Sequence, residues 1–284
     1  MSLSRTMRIL ITGPTGQLGR ELIRVLDEEE LLLLTHKDID IRDPKLIQRI
    51  VELKPDIIIH AAAYTDVDGC ERDPESAFQI NTLGTRHVVL GAEKVGAKLV
   101  YISTDYVFNG EKRVPYVESD DTCPINVYGR SKLGGEDLVR ACSVPWTIVR
   151  TAWVYGKGRK NFITNVLEWA KDLPVLKLVE DKRGSPTYAK DLAFAVRHVI
   201  RVGASGTYHA AGHGACTWYE YGKLILKLLN IKKKVVPIAF NELNRLARRP
   251  NYSVLSCEKL KKSGFEMRSW NVALKEFLID NYLK

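Results

Sequence analysis

The chain is expected to fold as α/β, with a doubly wound parallel sheet and a smaller, mixed α/β portion. Three observations carry that expectation. Short apolar runs alternate with longer amphipathic stretches from Met7 to about Arg150, a glycine-rich turn follows the first run directly, and the rhythm changes after Arg150. Strands that lie parallel need crossover connections, usually helices, so the alternation itself argues for a sheet covered on both faces.

The strand-like runs are Ile9 to Thr12, Leu31 to Thr35, Ile57 to Ala61, Leu99 to Ser103 and Thr147 to Val149, rich in Val, Ile or Leu. Helices are expected over Leu18 to Glu28, Pro44 to Leu53, Pro74 to Lys94 and Tyr128 to Cys142. Proline opens the second and third, where a first-turn residue has no N–H partner to lose. Beyond Arg150 come a loop, Tyr155-Gly-Lys-Gly-Arg-Lys160, and helices near Phe162 to Lys171 and Tyr188 to Arg201. The expected division is a first domain over residues 7–150, with a segment at about 186–209 returning to it. Residues 151–185 and 210–284 would form the smaller, substrate-covering domain.

A chain of 284 residues can bury a substantial core. No apolar run approaches the roughly 18–20 residues of a bilayer-spanning helix. Residues 1–6 lack the pattern of a secretory signal and read as a leader ahead of Met7. Cys70, Cys123, Cys142, Cys216 and Cys257 include no CxxC pair, which fits reduced thiols in a cytoplasm and gives no zinc knuckle. The net charge is 43 − 34 = +9, with basic residues crowded at 232–234, 245, 248–249 and 259–262. That balance favours anionic partners in general, but no nucleic-acid-binding signature accompanies it. Neither nucleic acid nor membrane is an expected partner.

Ile9-Leu-Ile-Thr-Gly13-Pro-Thr-Gly16-Gln-Leu-Gly19 places a glycine triad between the first strand and the first helix. Glycine permits the tight turn and lets backbone approach a pyrophosphate, and the helix N-terminus attracts the anion. The spacing is GxxGxxG, and its position points to a Rossmann-type dinucleotide site. The second strand ends in Thr35-His-Lys37, without the acidic residue that holds a ribose 2′-hydroxyl. His36 and Lys37 lean the cofactor toward NADPH, with NADH possible because Asp38 and Asp40 follow closely.

Tyr128-Gly-Arg-Ser-Lys132 puts a phenol and an ammonium on one helix face. A tyrosine of pKa about 10 becomes a useful acid when a neighbouring cation stabilises its phenolate, and Lys132 supplies that charge. The fourth strand ends in Ser103-Thr104-Asp105, at the carboxyl edge where open α/β sheets place their sites. Thr104 can hydrogen-bond the same carbonyl oxygen as Tyr128.

Together the glycine triad, Ala61-Ala-Ala-Tyr-Thr65, Ser103-Thr-Asp-Tyr-Val-Phe108 and Tyr128-Gly-Arg-Ser-Lys132 resemble the extended short-chain dehydrogenases, and within them the dTDP-4-dehydrorhamnose reductase family. Arg150-Thr-Ala-Trp-Val-Tyr-Gly156, Asn161-Phe162, Gly184-Ser-Pro-Thr187, Thr207-Tyr-His209 and Ala247-Arg-Arg-Pro250 extend the resemblance over nearly the whole chain. The resemblance implies NADPH-dependent reduction of the 4-keto group of dTDP-4-dehydro-L-rhamnose, with Thr104, Tyr128 and Lys132 catalytic. It implies cofactor contacts at Gly13, Gly16, Gln17, Leu18 and Gly19, at Asp40 and Ile41, at Ala61, Ala62, Ala63, Tyr64 and Thr65, and at Tyr128 and Lys132. Thr104, Asp105, Trp153, Asn161 and Arg249 would touch the nucleotide sugar, Arg249 through its diphosphate.

Lys182-Arg183 departs from the uncharged or aromatic residues of many relatives. Some relatives dimerise through a metal; a homodimer is compatible with this sequence, and His209-Ala-Ala-Gly-His213 is assigned no metal. Two other readings remain. One is epimerase or other nucleotide-sugar chemistry of the same superfamily, although Thr104-Asp105-Tyr106 lacks the glutamate that dehydratases place there. The other is a non-catalytic, dinucleotide-binding regulatory subunit resembling that of methionine adenosyltransferase.

Overall fold

The structure, a computed structural model, describes residues 6–283. The expected leader over residues 1–6 lies, apart from Thr6, outside the described residues. The first half runs β1 (Arg8–Thr12), α1 (Gln17–Val25), β2 (Glu30–Leu34), α2 (Lys45–Leu53), β3 (Ile57–His60), α3 (Val67–Arg72), α4 (Pro74–Phe78), a π-helical turn (Gln79–Leu83), α5 (Gly84–Val95), β4 (Lys98–Thr104), a 3-10 turn (Asp105–Val107), α6 (Val127–Arg140) and β5 (Trp146–Thr151). The second half runs β6 (Val154–Tyr155), α7 (Phe162–Asp172), β7 (Val175–Val179), β8 (Arg183–Gly184), β9 (Thr187–Tyr188), α8 (Ala189–Arg201), β10 (Gly206–His209), β11 (Cys216–Thr217), α9 (Trp218–Leu228), β12 (Lys234–Ile238), α10 (Glu258–Lys262) and α11 (Trp270–Tyr282).

The main sheet has the order β10-β5-β4-β3-β1-β2, and every pairing in it is parallel. The expected doubly wound sheet is therefore what forms. Its strands are apolar on both faces because both faces are covered. Ile9, Ile11, Ile57, Ile59, Val100 and Val149 enter one core with α1 and α8, while Leu10, Ile58, Leu99 and Ile148 enter the other with α2 and α5. Each such burial contributes about 1.5–3 kcal/mol. The winding reverses between β1 and β3, and a crevice opens beyond their carboxyl ends.

A separate apolar cluster gathers Ile163, Val166, Leu176, Leu178, Tyr221, Ile225, Leu274 and Phe277 from α7, β7, α9 and α11. These elements flank the same crevice from the far side. The expected single helix from Pro74 to Lys94 is instead α4, the π-helical turn and α5, with α3 ahead of it. The π turn coincides with a side-chain contact to a distant segment. Asn81 at its centre is buried and bonds back to the Tyr64 backbone, accepting from its N–H at 2.8 Å and donating to its carbonyl at 3.1 Å.

Candidate active site

The glycine turn packs against the segment that leaves β3. Gly13 has φ +72°, and a Cβ there would sit 2.9 Å from the Ala62 backbone. At Gly19 a Cβ would meet the Gly13 carbonyl oxygen at 2.3 Å. Any side chain at either position pushes the loop off the sheet end. Gly16 caps α1 without a side-chain hydrogen bond, and the first turn carries no acidic residue. The helix thus presents unpaired N–H groups and positive potential to the crevice, which suits a pyrophosphate.

The crevice is a cleft of about 630 Å³. Its walls include Gly13, Gly16, Gln17, Leu18, Gly19, Asp40, Ile41, Ala61, Ala62, Ala63, Tyr64, Thr65, Thr104, Asp105, Tyr128, Lys132, Trp153 and Asn161. Residues far apart in sequence thus meet at one place. Arg249 is not brought there: Asp68 holds its guanidinium at 3.0 Å, and its Nη1 donates to the Ala247 carbonyl at 2.9 Å. His36 lines the cleft, whereas Lys37 does not; Arg42 lines it and grips Asp40 at 2.6 Å.

The Asn126 side chain caps α6, accepting from Gly129 N–H at 2.7 Å, which fixes where Tyr128 emerges. Tyr106 packs edge-on against Tyr128, with ring centroids 6.0 Å apart. Burial pushes the Tyr128 phenol's pKa upward; Thr104 opposes this by hydrogen bonding and Asp105 adds to it. The expected lowering by Lys132 is absent because that ammonium is turned elsewhere, donating to the Ile102 carbonyl at 2.8 Å and lying 4.0 Å from the Tyr101 ring centroid. Burial brings the Lys132 pKa down to about 7, with Glu136 opposing. Tyr128 is therefore held fully protonated, the loaded state of an acid.

Four buried polar atoms of the cleft residues have no partner among the described residues: Asp105 Oδ2, Thr151 Oγ1, Tyr155 OH and Tyr221 OH. Unsatisfied buried groups cost free energy, so their occurrence among the cleft residues marks it as a place where a polar ligand fits. Next to Tyr221, Trp153, held at φ +46°, stacks on Trp218 with centroids 3.6 Å apart, and Phe162 packs on Trp218 at 4.4 Å and on Tyr221 at 5.2 Å.

The family model described as RmlD substrate binding domain matches residues 7–283. The chain belongs to that family. The structure is similar to the crystal structure of dTDP-4-dehydrorhamnose reductase from Bacillus anthracis str. Ames in complex with NADP, with a TM-score of 0.94, 40% identity, and 97% of this chain and 100% of that chain covered. In sequence it is 37% identical to dTDP-4-dehydrorhamnose reductase of Escherichia coli (strain K12), covering 96% of this chain and 97% of the relative. It is 39% identical to the spore coat polysaccharide biosynthesis protein SpsK of Bacillus subtilis (strain 168), covering 95% and 96%.

In this member of the RmlD family, several cleft features escaped the sequence reading. Thr151 pairs in register with Thr104 across β4 and β5, and a parallel-sheet model with the strand extended past Val149 would have shown it. Asn81 links Tyr64 to Ser131, donating to its Oγ at 2.9 Å, while Ser131 Oγ donates to the Tyr128 carbonyl at 2.8 Å. The Gln17 side chain donates to the carbonyls of Gly156 at 3.3 Å and Arg159 at 3.2 Å, and Asn161 Nδ2 donates to Gly156 O at 3.0 Å. Those two amides hold the basic 157–160 loop beside the glycine turn. No local pattern announces such pairings. No helix among the described residues is long and apolar enough to cross a membrane.

Proposed function

We propose that this chain reduces the 4-keto group of dTDP-4-dehydro-L-rhamnose to give dTDP-L-rhamnose, using NADPH. The observation that carries this reading is the meeting of Thr104, Tyr128 and Lys132 in the same cleft as the uncapped N-terminus of α1. Near full-length similarity to reductases of that name, one of them in complex with NADP, supports it.

The residues present fit the dinucleotide. Gly13, Gly16 and the first N–H groups of α1 would take its pyrophosphate, Asp40 and Ile41 would border the adenine side, and Ala63, Tyr64 and Thr65, with Ala61 and Ala62 before them, would border the ribose near the nicotinamide. Arg42 and His36 stand at the adenosine end, where a guanidinium or imidazole suits a 2′-phosphate. When bound, the cofactor supplies hydride to the carbonyl carbon. Tyr128, protonated and half-buried, gives its proton to the carbonyl oxygen, while Thr104 hydrogen-bonds that oxygen as charge develops on it. Lys132 stands within the same wall to compensate the phenolate that remains. Asp105 and Trp153 face the sugar portion.

Arg249 serves the substrate diphosphate only by leaving Asp68, so its proposed contact requires that ion pair to exchange. The expected division places the cofactor on residues 7–150 and the sugar largely on the rest. The test is a panel of 4-keto nucleotide sugars with NADPH and NADH in parallel. The reading predicts the highest kcat/KM for dTDP-4-dehydro-L-rhamnose with NADPH. No cofactor consumption with any 4-keto sugar would contradict it.

A further inference from the structure

Thr104 has one hydroxyl hydrogen, and the structure directs it to the neighbouring Asp105 carboxyl. Its hydroxyl donates to Asp105 Oδ1 at 3.1 Å, and the Tyr106 N–H donates into its oxygen at 3.1 Å. A hydroxyl has one donor and two acceptor positions. With its hydrogen on Asp105, Thr104 can offer a substrate carbonyl only a lone pair, which repels the oxygen on which negative charge develops.

The conflict disappears if the hydrogen between the two side chains belongs to Asp105. The carboxylic acid then donates to Thr104 Oγ1, whose two lone pairs are taken by Asp105 and by the Tyr106 N–H, and the threonine hydrogen is free to turn toward the Tyr128 phenol oxygen and the substrate oxygen beside it. We propose that Asp105 works as a neutral carboxylic acid whose hydrogen bond to Thr104 sets that hydroxyl to donate to the reacting carbonyl oxygen. Atoms and charges balance without Asp105 being consumed. Hydride goes from the dinucleotide to carbon, the Tyr128 proton goes to oxygen, and Asp105 and Thr104 keep their hydrogens throughout.

The surroundings of Asp105 fit a neutral acid. It is 2% exposed, and no lysine or arginine pairs with it among the described residues. Thr104, at the end of β4, hydrogen-bonds it at 3.1 Å, and Ser253, from the C-terminal segment, faces it as a neutral hydroxyl. Tyr106 of its own turn and Tyr128 of α6 face it as phenols, each made harder to ionise by it. The ions nearest that side, Arg249 and Asp68, compensate one another, and Lys132 on α6 is turned to the Ile102 carbonyl. Asp105 Oδ2 has no partner among the described residues, so an ionised carboxylate would hold charge on an unsatisfied buried oxygen. Burial accordingly pushes its pKa up to about 7, with the Ser253 and Thr104 hydroxyls opposing. A hydrogen-bond-donating neutral carboxyl near neutrality is an attested device in oxyanion sites.

This inference rests on the reductase reading, and the experiment separates the two. kcat is measured against pH, at saturating NADPH and 4-keto nucleotide sugar, for the native enzyme, Asp105→Asn and Thr104→Ala. Native kcat is expected to fall by about tenfold per pH unit once Asp105 ionises. In Asp105→Asn the amide N–H donates to Thr104 at every pH, so the share of the basic limb due to Asp105 disappears, the share due to Lys132 stays, and the ratio of variant to native kcat rises by about tenfold per pH unit above the Asp105 pKa. If Asp105→Asn does not fold, Thr104→Ala carries the same test, since removing the hydroxyl that Asp105 controls must remove that same share and make the limb shallower. A native enzyme that turns over, with Asp105→Asn slower at every pH or with the limb persisting unmoved in Thr104→Ala, overturns this inference alone. A native enzyme that reduces no 4-keto sugar overturns the reductase reading, and this inference with it.

Discussion

Glu136 joins α6 to the carboxyl ends of β4 and β5, so replacing it tests how the site is held. Its Oε1 accepts from Ser103 Oγ at 2.6 Å and from Arg150 Nε at 2.9 Å, and its Oε2 accepts from Arg150 Nη2 at 2.8 Å and from Arg140. Glu136 is 0% exposed and Arg150 1%. Burial works against ionisation of Glu136, and Arg150, Ser103 and Arg140 more than offset it, so its pKa lies below the ordinary value. In Glu136→Leu the Arg150 guanidinium stays in the core with its counter-charge removed, and its Nη1 already lacks a partner among the described residues. Stranding one member of a buried pair costs about 3–5 kcal/mol. For a chain of this size each kcal/mol lowers Tm by about 2–4 °C, which gives a fall of roughly 10 °C. Arg140 is a third exposed and can be resolvated, so it adds little. Urea unfolding of Glu136→Leu and of Glu136→Leu/Arg150→Met measures the argument. The double variant removes both charges and should regain most of the loss. A single variant no less stable than the double, or a loss under about 1 kcal/mol, would refute the claim that a stranded charge dominates.

Further expectations concern the site and its pH dependence. Tyr128→Phe should lower kcat by about 10²- to 10⁴-fold while leaving the dinucleotide Kd within about threefold, because it removes a proton donor of the transition state; equal turnover would remove Tyr128 from the chemistry. Gly13→Ala should weaken dinucleotide binding by about tenfold or more, since φ +72° and the 2.9 Å approach to Ala62 force the loop outward; calorimetry showing native affinity would contradict that. His60 and His209 are held neutral, burial first and then Lys132 or Arg150 bringing each pKa down to about 3. Between about pH 3 and 6.5 the unfolded chain binds the extra protons, so stability falls on acidification by about 1.4 kcal/mol per pH unit for each histidine. Urea midpoints that do not move between pH 7 and pH 4.5 would count against buried neutral imidazoles.

The sheet was legible because its signal is local. Ile9 to Ile11 and Ile57 to Ile59 are apolar at every position, which only strands covered on both faces require. Thr104 and the glycine turn followed from the same logic, because a parallel sheet brings all its carboxyl ends to one edge. The rest depends on contacts between distant segments. Arg249 reads in sequence as a free guanidinium for a diphosphate, yet Asp68 holds it. Trp153 takes a left-handed backbone to stack on Trp218, and neither its strain nor its partner is written nearby. The interruption of the helix after Pro74 is set by the bonds Asn81 makes to Tyr64 and Ser131, so helix periodicity alone runs straight through it. The Tyr128 pKa departs from expectation for a similar reason: four-residue spacing puts Lys132 on the right face, but the Ile102 carbonyl decides where its ammonium points.

In the proposed reduction, hydride and proton meet at one carbonyl in this cleft. Incubating the enzyme with dTDP-4-dehydro-L-rhamnose and NADPH deuterated at the transferring position, then weighing the product by mass spectrometry, reads that event directly. A product one deuterium heavier, with the label on the sugar's C4, is the predicted result. An unlabelled product, or unconsumed cofactor beside intact 4-keto sugar, would contradict it.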